Sequence, residues 1–61
     1  MAQVNQQELQ SLRHLIGAHE TAHQKMLTYA QQSVDPQVKA YFQKSAQDAM
    51  NTKQQLMSFL N

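Results

Sequence analysis

Sixty-one residues with five Lys or Arg, four Asp or Glu and no cysteine allow one small domain at most, held without disulfides. The formal charge of +1 is scattered along the chain, which leaves no basic stripe for nucleic acid or anionic lipid. No apolar run approaches the roughly 20 residues of a membrane span. Met1 to Gln7 lack the basic-then-apolar character of a secretion signal, so cytoplasmic synthesis with no membrane partner is expected.

The first element is a helix from about Asn5 to Ser33, a stretch without proline and interrupted only by Gly17. Asn5 has the side chain of an N-cap, and Glu8 three residues later makes a capping box with Asn in place of Ser or Thr. Leu9, Leu12, Ile16, His19, His23, Met26 and Ala30 follow at alternating spacings of three and four. That is the seam of a helix packed at small crossing angle. Leu15, Ala22 and Tyr29 run one position before it and widen the apolar face to the width of a four-helix bundle.

The chain breaks at Ser33-Val34-Asp35-Pro36. Asp35 offers the acceptor an N-cap needs, and Pro36 fits the first helical position, where no donor is required. A second helix is expected from Pro36 to about Leu60, with Val38, Phe42, Ser45, Ala49, Thr52, Leu56 and Phe59 on its seam and Tyr41, Ala46, Met50, Met57 and Leu60 beside it. So short a connection makes the two helices antiparallel neighbours. The expectation is all-α, a single hairpin over residues 1–61. The twelve dispersed glutamines read as a neutral solvated coat or a packing surface.

Two helices cover only one side of each stripe. Leaving a large apolar side chain wet costs about 1.5–3 kcal/mol, and a two-fold homodimer with a shared four-helix core removes that cost. Its expected core is Leu9, Leu12, Ile16, His19, His23 and Met26 with Phe42, Ala49 and Leu56.

Chemistry, if any, rests with the histidines. Glu20 and His23 form a Glu-x-x-His pair one turn apart, the spacing by which ferritin-like bundles aim two ligands at one metal ion. His19 and Asp48 are the further candidate ligands, and Asp48 with Asn51 has the spacing of a weaker second pair. Against a metal site, the second helix offers no histidine and the first has no second glutamate near Glu20. Buried histidines bonded across the dimer to Ser45, Gln47 or one another are the expected arrangement, with no cofactor and no catalysis. Two helices supply no oriented nucleophile or oxyanion hole.

From Leu12 to Leu60 the sequence resembles the spore coat protein F family, ferritin-like helical proteins of spore-forming Gram-positive bacteria. The residues that carry it are Leu12, Leu15, Ile16, His19-Glu20, Lys25, Tyr29-Ala30, then Asp35-Pro36-Gln37-Val38-Lys39, Phe42, Ala46 and the closing Leu56 to Leu60. The resemblance implies a structural component deposited on the spore, with other coat proteins as partners. Members often carry histidines along the second helix, where this chain has Ser45, Ala49 and Thr52. That departure weakens any inherited metal role. A ferritin-like metal-binding protein and a helical adaptor for another protein are the alternative functions.

Overall fold

A computed structural model describes residues 3–60. Met1, Ala2 and Asn61, which belong to the expected domain and in part to the segment read for a secretion signal, lie outside the described residues. The fold is an antiparallel hairpin of α1 (Gln6–Gln32) and α2 (Pro36–Met57), closed by a 3₁₀ turn at Ser58–Leu60.

Each boundary has a local cause. Asn5 Oδ1 accepts the Glu8 N–H at 2.7 Å, and Glu8 Oε1 accepts the Asn5 N–H at 3.0 Å, so the capping box forms in both directions. At the other end of α1 the Ser33 hydroxyl donates to the Tyr29 carbonyl at 2.6 Å, and the Ser33 N–H donates to the Ala30 carbonyl at 3.2 Å. Val34 then stands 97% exposed at the tip. Asp35 Oδ1 accepts from the N–H groups of Gln37 and Val38 at 2.8 and 3.1 Å, with Pro36 at the first helical position. The second helix is α-helical only to Met57, short of the Leu60 that the sequence pattern indicates. Its final carbonyls run out of donors four residues ahead, and the shorter i+3 bonds tighten the last turn.

The helices approach most closely through small residues. Only Ala30, 3% exposed, and Ala46, 1% exposed, are buried among the described residues. Ala30 falls on the expected seam of α1. On α2 the expected seam residues Phe42, Ser45, Ala49, Thr52 and Leu56 are half-buried, whereas Val38 and Phe59 are exposed. The contact reaches further round the helix, where Ala46 is buried and Lys53 half-buried. Two helices alone settle where their side chains are smallest, and larger ones are pushed to the sides. The nine residues expected in a dimer core are all half-buried within the single hairpin.

The hairpin is a thin slab of 45 × 17 × 11 Å, a single helix layer deep. Its radius of gyration is 14.2 Å, against about 10.5 Å for a compact domain of this length. No described helix is long and apolar enough to cross a membrane.

Two substitutions test the helix assignments. Asp35→Ala should lower stability by about 1 kcal/mol through loss of the cap, measured by urea unfolding. An unchanged midpoint would place the start of α2 elsewhere. Gly17 sits mid-helix, and a Cβ there meets nothing within 4 Å. Gly17→Ala should therefore raise stability by about 0.8–1 kcal/mol, and a loss would mean that this outward face is occupied.

Candidate functional site

The polar residues that interrupt the apolar seam gather halfway along the hairpin, where α1 passes from His19 to His23 and α2 from Ser45 to Lys53. His23 points across the interface. Its Nδ1 lies 2.8 Å from the Ala46 carbonyl oxygen, and since a carbonyl only accepts, Nδ1 carries the proton and donates. His19 turns back along its own helix, donating from Nδ1 to the Leu15 carbonyl at 2.8 Å. Within the single chain both rings thus bond to backbone carbonyls. Helical carbonyls lie one turn back, or directly opposite across the seam, and need no side-chain rearrangement to be reached. His14 is exposed on the outside of α1.

Glu20 has a different partner from the one its motif suggests. Its Oε1 accepts from Lys53 Nζ across the hairpin at 2.5 Å, and its Oε2 accepts from Gln24 Nε2 at 3.0 Å. The Lys53 hydrogen bond, and then that of Gln24, hold the Glu20 carboxyl below its ordinary pKa of 4.5. A carboxylate already neutralised by an ammonium group is a poor metal ligand. Asp48, the fourth metal candidate, pairs with Lys44 at 3.2 Å on the exposed side of α2. Asn51 accepts from Gln47 one turn away. Among the described residues no three His, Asp or Glu side chains lie close enough to share an ion. Glu20 and His23 come together as spaced, but Asp48 is not brought to them.

The Glu20–Lys53 pair is absent from the sequence expectations, although the sequence holds its signal. The tight turn sets residues whose numbers sum to about 71 level with each other, as Tyr29 and Phe42 show with ring centroids 5.4 Å apart. Lys53 then falls within a long side chain's reach of Glu20. Both residues flank the seam, so a bridge between them follows once the register is known.

The other concavities are shallow and lie toward the ends of the slab. One groove of about 600 Å³ is lined by Val4, Glu8, Ser11, Leu12, Leu15 and Phe59 at the open end. Its one carboxylate, Glu8, is engaged in the capping box. A smaller groove lies beside Tyr29, Ser33 and Phe42 near the turn. In comparison with known proteins, no family model, no curated protein and no solved structure matches the chain.

The Glu20–Lys53 pair predicts a pH dependence. A carboxyl whose folded pKa is depressed contributes stability fully above its ordinary value, about 4.5, and loses that contribution as pH falls through the folded value. Glu20→Gln should therefore be less stable than the wild type near pH 7, with the gap closing as pH falls below the ordinary carboxylate range. Equilibrium unfolding of both proteins across that range checks it. A gap independent of pH would show that the pair is not formed in solution.

Proposed function

We propose that this hairpin is a non-catalytic structural module that associates with itself through its helices and serves as an assembly component of the bacterial spore coat. One observation carries the self-association: among the described residues the slab buries only two alanines, while Leu15, Leu27, Tyr29, Tyr41, Met57 and Phe59 remain exposed. A 61-residue chain with no disulfide gains no covalent support, and a second apolar layer is the remaining source of a core.

The non-catalytic reading is supported by how the polar groups are used. Glu20 with Lys53, and His23 with the Ala46 carbonyl, bridge the two helices in register, while His19 bonds to the Leu15 carbonyl of its own helix. The assignment to the spore coat rests on the resemblance carried by Tyr29-Ala30, Asp35-Pro36 and Val38-Lys39 to Phe42. A short bundle with a glutamine-rich outer surface suits repeated packing against other protein chains.

Self-association should appear in sedimentation equilibrium at micromolar concentration as a mass about twice the 7.0 kDa of the chain. A cooperative, folded monomer there would overturn it. The coat assignment has a separate check. The transcript should rise only during sporulation, and the protein should be extracted with the coat fraction of purified spores. Equal abundance in vegetative cells would sink that part alone.

A further inference from the structure

The exposed apolar residues are not spread evenly around the slab. One face carries the aromatic cluster of Tyr29, Tyr41 and Phe42 at the turn end, with centroids 5.4 and 5.9 Å apart. The same face carries Leu15 and Phe59 at the open end, where both line one groove. Leu15 and Tyr29 are 14 residues apart, and Tyr41 and Phe59 are 18 apart, spacings that return to nearly the same side of a helix. The opposite face holds the Glu20–Lys53 ion pair, with Leu27 and Met57 as its exposed apolar residues.

This apolar face has an internal symmetry. On α1, Leu15, Ala22 and Tyr29 recur at intervals of seven; on α2, Phe42, Ala49 and Leu56 do the same. Tyr29 stands against Phe42, and counting one heptad back on α1 and forward on α2 sets Ala22 level with Ala49. Each stripe therefore has an alanine at its centre and a bulky residue at equal distance on either side. A two-fold axis through the two alanines, turning one copy end for end, sets Leu15 of each copy level with Tyr29 of the other, the reciprocal pairing of an isologous interface.

The area fits the same occupant. The hairpin exposes 4789 Å², whereas a folded monomer of 7.0 kDa exposes about 4,000 Å². The excess, roughly 790 Å², is close to the ~800 Å² that each partner contributes to a stable interface.

Resting on the self-association proposed above, we infer that two copies pack through the Leu15–Tyr29–Phe42–Phe59 face, turned end for end, with the two-fold axis crossing at Ala22 and Ala49. The choice of orientation follows from shape. Tyr41, 67% exposed, projects as a knob at the turn end, and the open end presents the 600 Å³ groove. Turning one copy end for end sets knob into groove twice. The other two-fold arrangement, with both turns at one end, sets knob on knob and leaves both grooves unfilled. In the end-for-end dimer α1 crosses α1 of the partner at Ala22, and α2 crosses its counterpart at Ala49.

The chain has no native cysteine, so single substitutions report this geometry cleanly. Ala22→Cys should oxidise to a dimer bridged through position 22 of both chains, because only this axis brings the two Cα atoms within the ~4.4–6.8 Å a disulfide spans. When Ala22→Cys and Ala49→Cys chains are mixed, refolded and oxidised, peptide mapping should find no bridge from position 22 of one chain to position 49 of the other. Such a mixed bridge is the mark of the turn-to-turn arrangement and would overturn the inference. As a second reading, Leu15→Lys and Phe59→Lys should abolish the dimer in sedimentation, while Leu27→Lys and Met57→Lys on the opposite face should leave it intact. A dimer broken by the second pair and not the first would place the interface on the wrong face while self-association stands. A wild-type monomer at micromolar concentration would instead remove the self-association on which the inference rests.

Discussion

The carboxylate of Asp35, bonded to the N–H groups of Gln37 and Val38 beside Pro36, fixes the residue at which the chain reverses. In a hairpin of two long helices that point decides everything further along, because a shift of one residue at the turn moves every facing pair. With this register Tyr29 meets Phe42, His23 meets the Ala46 carbonyl, and Glu20 reaches Lys53. The three contacts are spaced along much of the slab and agree with one another. Cap, aromatic pair and ion pair thus specify the same alignment by independent chemistry.

The polar residues of the seam have a role in that alignment that apolar ones would fill poorly. A seam of leucines packs about equally well when one helix slides by a turn. A histidine that must find a carbonyl, and a glutamate that must find an ammonium, distinguish the correct register from its neighbours. Both are half-buried at the edge of the contact and not enclosed by it. Their charges and dipoles keep partial access to water, and the desolvation cost of a fully buried pair is avoided.

Depth is what the single chain lacks. A slab 11 Å thick has no interior, since every residue on it is within one side chain of solvent. The helices close on Ala30 and Ala46 because small side chains permit the nearest approach, and this displaces the larger apolar residues onto the flanks. A functional pocket needs walls on several sides, and here only shallow grooves toward the two ends are present among the described residues. The surface left by that displacement is suited to receiving another protein layer.

The two helices and their reversal were legible residue by residue. Alternating three- and four-residue spacing, the Asn5–Glu8 capping box and Asp35-Pro36 are local signals, and helix start, reversal and antiparallel pairing follow from them without knowledge of the rest of the chain. Helix faces could be read to within a fraction of a turn, which placed Ala30 on the seam but set Ala46 beside it and Val38 and Phe59 upon it. That error has a physical source: an apolar stripe wider than the contact tells which residues avoid water, not which of them a neighbour of given size touches. The bonding partners came from the folded arrangement. Glu20-x-x-His23 has the spacing of two metal ligands, yet the identity of the group opposite Glu20 depends on where Lys53 arrives from the other helix. Distances across the hairpin are set by packing and register together, so a motif within one helix could fix neither.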